Sequence, residues 1–243
     1  MFWFALVVGT ALVRGADLSL ETARRAQVLL GPGVWSQVIR VENDARPSRY
    51  PRELHALVFE LAGVLWFYTD TDGTQSFSLR RGRLAEEKAD FAPLLRDIEP
   101  GFARWSVVPD GEATPGKLPN GCFIDSVAAL RARLAVGGEV VRPQLLTYYY
   151  PPSQGLAGHS VLIYLAGGKL EVIDPTVPKR RLRLSAGLET NPLELARHLA
   201  GLGVANSRLV ALDGLASDRA FAAVWREPAR ATEFSEEYLA AME

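Results

Sequence analysis

One cysteine, Cys122, sits inside "LPNGCFIDSVAALRARL", where a helix is expected to begin. A thiolate is the reactive form of that side chain, and the free N–H groups of a helix's first turn favour negative charge beside them. A sulfur so placed could attack a carbonyl, and the same N–H groups could stabilise the oxyanion that forms. Two further residues could serve it. His159 opens "HSVLIYLAGGKLEVID" and Asp174 closes it. An imidazole beside a carboxylate is the arrangement that fixes the ring's tautomer and stabilises its protonated form.

These three side chains need elements to carry them. Asn120 is the expected cap of the cysteine helix, with Phe123, Val127, Leu130 and Leu134 marking one apolar stripe. The His–Asp segment reads as a hairpin turning at Gly167-Gly168. A two-residue turn pairs Ala166 with Lys169 and Ile163 with Val172. Alternation then puts His159, Val161, Ile163 and Leu165 on one face with Leu170, Val172 and Asp174. His159 and Asp174 become diagonal neighbours there. That face is otherwise apolar, so burial is expected, with the cysteine helix as its cover. Ser160, Tyr164, Lys169 and Glu171 mark the opposite face as the more polar one.

With those residues in view, the segment from about residue 117 to 185 resembles the transglutaminase-like branch of the papain-like cysteine hydrolases. "GHSVLIYLAGGKLEVIDPT" is similar to that branch's pattern of His-strand, turn, and strand ending in Asp-Pro-Thr. The resemblance implies an α+β fold, a papain-like core in which the nucleophile's helix packs on an antiparallel sheet. It implies Cys122 as nucleophile, His159 as general base and Asp174 as orienting acid, with a peptide or protein substrate and no cofactor. Bacteriocin-processing-type cysteine peptidases share the His-strand and Asp-Pro but usually have a longer Cys-to-His interval. True transglutaminases tend to place Trp after the cysteine, where this chain has Phe123, so hydrolysis is expected over transamidation. Asn120, Gln154 and Trp105 are the side-chain candidates for an oxyanion donor. The competing readings are a transglutaminase-type acyltransferase and a non-catalytic binding or structural protein that retains the fold.

The rest of the chain frames this segment. Residues 107–121 are dense in Pro and Gly and read as a linker. They divide a β-rich lobe, residues 17–106, from the hydrolase core, residues 107–243, which is expected to end in helices. In the lobe, "SLETARRAQVLL" reads as a helix with Ser19 as cap, followed by strands at "SQVIRVEN" and "ELHALVFEL". Asp72-Gly73 suggests a tight hairpin that would set Tyr68 opposite Phe77. Pro93 is expected to kink or split the helical stretch that follows. "NPLELARHLAGLG" carries Asn191, Pro192 and Glu194 in the order of a capping box.

The apolar run from Phe2 to Val13 is too short to span a bilayer and fits the core of a signal peptide. Residues 1–16 are therefore a candidate leader, which would export the chain and leave no membrane span after cleavage. A buried first helix or an uncleaved anchor is the other reading, and without a leader the chain would be cytoplasmic. Export would make a lone thiol harder to explain as a passive residue, since it cannot form an internal disulfide. The net charge of −1 supplies no overall field for nucleic acid or anionic membrane. Three His and one Cys show no metal-site spacing. The basic run "KRRLR", residues 179–183, reads as a solvated strand edge.

Overall fold

The computed structural model describes residues 18–61, 64–76, 88–150, 157–177, 181–187, 190–200, 204 and 206–212. The candidate leader, Phe77, Gln154 and the C-terminal stretch expected to be helical lie outside them. The chain is α+β, and the described residues form two five-stranded antiparallel sheets. It divides into two compact units, Met1–Gly121 and Cys122–Glu243.

The described part of the first unit starts with a helix over residues 18–30 (α1). Its strands are β1 (Ser36–Asn43), β2 (Glu53–Leu61), β3 (Val64–Thr69), β4 (Gly73–Ser76) and β5 (Phe102–Val107), in the order β4-β3-β2-β1-β5. One sheet face presents Ile39, Val41, Leu54, Ala56, Val58, Leu65 and Phe67, packed against Phe91, Leu94 and Leu95. Leu94 and Leu95 lie on α2 (Ala92–Ile98), which Pro93 starts afresh, since its missing N–H costs nothing in a first turn. Ser19 is not a cap. It lies within α1, buried, where its Oγ accepts from the His55 backbone N–H at 3.1 Å and stands 3.2 Å from Nδ1. The linker has no regular structure and runs against α1, with Arg25 Nε donating to the Thr114 carbonyl at 2.7 Å.

The Asp72-Gly73 hairpin forms in another register. Thr69 faces Gly73 and Tyr68 faces Thr74, so the loop has three residues and Gly73 follows it at φ 71°. Only glycine adopts that conformation freely. The expected pairing of Tyr68 with Phe77 assumed a two-residue loop and is replaced by this one.

The second unit begins with α3 (Cys122–Ala135) and continues through β6 (Val141–Tyr150), β7 (Ala157–Ala166), β8 (Lys169–Ile173), β9 (Arg181–Ser185), α4 (Pro192–Ala200) and β10 (Asn206–Ala211). The sheet order is β10-β6-β7-β8-β9, which makes β9 an edge strand among the described residues. Asn191 caps α4 as expected. Its Oδ1 accepts from the Glu194 N–H at 3.2 Å, and its amide donates back to the Glu194 carboxylate at 3.1 Å.

The packing of this sheet departs from expectation in two ways. The face with Leu146, Val161, Ile163, Leu170 and Val172 is covered by Leu195 and Ala196 of α4, not by the cysteine helix. The opposite face is buried too: Leu145, Leu162 and Glu171 have no exposure. Glu171 tolerates this because Arg183, on the edge strand, donates to its carboxylate at 2.5 Å. Among the described residues, no helix is long and apolar enough to cross a membrane.

Candidate active site

The hairpin of β7 and β8 forms in the register its turn dictates. Gly167 and Gly168 both have positive φ, 56° and 70°, as a type I′ turn requires. Ala166 faces Lys169, Ile163 faces Val172, and Leu162 faces Ile173, where β8 stops. Asp174 therefore leaves the ladder one step beyond its last pair. Pro175 follows and has no N–H to extend it. From there the carboxylate reaches diagonally, and Asp174 Oδ2 lies 3.2 Å from His159 Nε2.

Cys122 is the first residue of α3 and is partly buried. The helix buries Phe123, Ile124, Ser126, Val127 and Leu130. It rests on β7 and β6, and one polar bond pins the contact: buried Ser126, one turn beyond the cysteine, donates its hydroxyl to the Ser160 carbonyl at 3.2 Å. Ser160 is His159's neighbour in β7, so this bond fixes the helix beside the histidine. Cys122 is among the groups whose interaction raises the His159 pKa, so the thiol and the ring are electrostatic neighbours.

The site is partly shielded, with the His159 side chain 16% exposed and that of Asp174 7%. Tyr148 faces His159 across β6 and β7 and sets its ring edge-on to the imidazole, centroids 5.6 Å apart. Behind Asp174 a cavity of about 10 Å³ is walled by Tyr148, Val161, Val172, Leu182 and Leu199, room for at most one water.

Burial disfavours a charged imidazole. The interactions with Cys122 and with the charged carboxylate of Asp174 together outweigh it, raising the His159 pKa above its ordinary value. Burial likewise opposes ionisation of Asp174. The Thr176 hydroxyl, the nearby imidazolium, the Thr176 N–H and the His159 hydrogen bond together hold its pKa below the usual carboxylate value. The arrangement can hold a proton on the ring while a carboxylate balances it.

Two of the oxyanion candidates, Asn120 and Trp105, belong to the first unit and have partners within it. Asn120 is neither cap nor free donor. It sits in the left-handed region at φ 50°, and its amide donates to the carbonyls of Asp70 and Thr71 at 3.0 and 3.1 Å. Trp105 lies in β5 opposite Val41, its ring 4.8 Å from Phe91 and packed on the first unit's core. Gln154 lies outside the described residues. The backbone N–H groups that open α3 are donors on the cysteine's own helix.

Sequence reasoning assigned no role to Ser126 or Thr176. A signal existed for both. Ser126 is a polar residue on the buried side of an otherwise apolar helix, and Thr176 stands two residues after an Asp, where the Asp side chain commonly accepts the backbone N–H. Among the described residues no group of three His, Cys, Asp or Glu is placed to hold a metal ion. Family models, curated proteins and solved structures yield no match to the chain.

Proposed function

We propose that the chain is a cysteine hydrolase with a papain-like core of the transglutaminase-like kind, acting on amide bonds of a peptide or protein. One observation carries the reading: Asp174 Oδ2 lies 3.2 Å from His159 Nε2, and Cys122 is among the groups that raise the pKa of that ring. In the reaction, the Cys122 thiolate attacks the amide carbonyl, and the α3 N–H groups receive the oxyanion. The C–N bond breaks as His159 gives its proton to the departing amine. Water then attacks the thioester carbonyl and yields a proton to His159, and the C–S bond breaks to release the carboxylic acid and restore the Cys122 thiolate beside the imidazolium. Asp174 keeps the ring oriented throughout.

The test is the rate at which iodoacetamide alkylates the protein near pH 6, where an ordinary thiol reacts slowly. Cys122 is the only cysteine, so all label reports on it. His159→Ala should slow labelling roughly tenfold or more. Equal rates in the two proteins would overturn the reading and leave a structural thiol in a non-catalytic fold. A peptide library, with and without a fluorescent amine, then separates hydrolysis from acyl transfer by the product formed.

A further inference from the structure

The two oxygens of Asp174 have separate partners. Oδ2 lies 3.2 Å from His159 Nε2. Oδ1 accepts twice from one residue, at 3.0 Å from the Thr176 backbone N–H and at 2.7 Å from its hydroxyl. The torsion that turns a carboxylate about its Cβ–Cγ bond is broad, so burial alone does not decide which oxygen meets the ring. A second anchor does.

Thr176 is suited to be that anchor. Pro175 stiffens the two-residue turn by fixing its own φ. A β-branched Thr has few χ1 choices, so its hydroxyl stays aimed once the backbone is set. The side chain is exposed, so no packing duty explains it, yet its hydroxyl and its N–H both serve one oxygen. Both groups are donors, and such bonds are stronger to an ionised carboxylate than to a protonated one.

We propose that Thr176 is a positioning residue of the site: its two bonds to Oδ1 turn Oδ2 of Asp174 toward His159 and keep the carboxylate ionised there. The proposal rests on Cys122, His159 and Asp174 working as one group, and its test separates the two claims. The His159 ring titration is followed by NMR in the full-length chain, with three histidines to assign and His159→Ala to identify the signal. Alkylation of Cys122 is measured alongside.

Thr176→Val keeps the shape and removes only the hydroxyl. It should lower the His159 midpoint toward that of Asp174→Asn and slow alkylation about fivefold, the equivalent of one lost hydrogen bond. Thr176→Ser, which restores the donor, should retain wild-type behaviour in both. A Val variant that titrates like wild type while Asp174→Asn shifts would overturn the role of Thr176 and leave the His–Asp pair standing. Equal shifts in the Val and Ser variants would show that the hydroxyl is not the agent, which also overturns it. If Asp174→Asn itself leaves His159 unmoved, the pair on which the proposal depends is refuted.

Discussion

Asp174→Asn removes one charge from a shielded pair and leaves its volume in place. At 3.2 Å, with an effective dielectric of about 20, the attraction between full charges is about 5 kcal/mol. Desolvation of both groups offsets much of this, and a hydrogen bond to a charged partner retains a net value of about 1.5–3 kcal/mol. That stabilisation depends on pH in a definite direction. His159 has its pKa raised on folding, so its share is fully present below the ordinary value of 6.5 and fades as pH climbs through the folded value. Asp174 has its pKa lowered, so its share is fully present above 3.8 and fades as pH falls through the folded value. The pair thus contributes most between about pH 4 and 6.5. Urea unfolding of wild type and Asp174→Asn, read by circular dichroism at pH 5.5 and at pH 9, measures it. The variant should lose about 1.5–3 kcal/mol at pH 5.5 and clearly less at pH 9. A loss of the same size at both values would refute the charge pairing, since a purely steric or packing cost does not titrate.

Other substitutions test the frame around the site. Ser126→Ala leaves the Ser160 carbonyl without its side-chain donor and should cost about 1 kcal/mol. It should also slow Cys122 alkylation, because the helix loses its tie beside His159; unchanged labelling would show that the tie does not set the geometry. Gly73→Ala forces a Cβ to within 2.6 Å of the Asn120 carbonyl oxygen at φ 71°, whereas Gly167→Ala meets open space at φ 56°. The first should cost about 2–4 kcal/mol and the second about 1–2 kcal/mol, so equal unfolding midpoints would contradict the close approach. Asn191→Ala should lower stability by about 1 kcal/mol through the lost cap of α4, and a neutral result would mean that the cap is dispensable.

What could be read from the sequence was whatever a few consecutive residues decide. Two glycines at 167 and 168 permit only a tight turn of one hand, and that turn fixed which residues of β7 and β8 face each other. His159 and Asp174 were therefore diagonal neighbours before any packing was known. The capping box of α4 is local in the same way, since three residues complete it. The β3–β4 hairpin shows the limit: a single positive-φ glycine fits a two-residue or a three-residue loop, and the sheet selected the three-residue one. Contacts between distant segments carry no such local mark. Ser19 was read as a cap because its own neighbours allowed it, while a strand far along the chain supplied His55 and drew it inside α1. Both faces of the second sheet proved buried, because a polar residue such as Glu171 can be taken inside once a strand-edge Arg183 reaches it. Tertiary packing also gave α4, not α3, the face with Val161 and Ile163, although either helix has an apolar stripe that would serve. Sequence set the His–Asp spacing through backbone geometry. Only packing, through contacts such as that of Ser126 with the Ser160 carbonyl, brought Cys122 to the ring, because no short-range rule fixes where a helix comes to rest on a sheet.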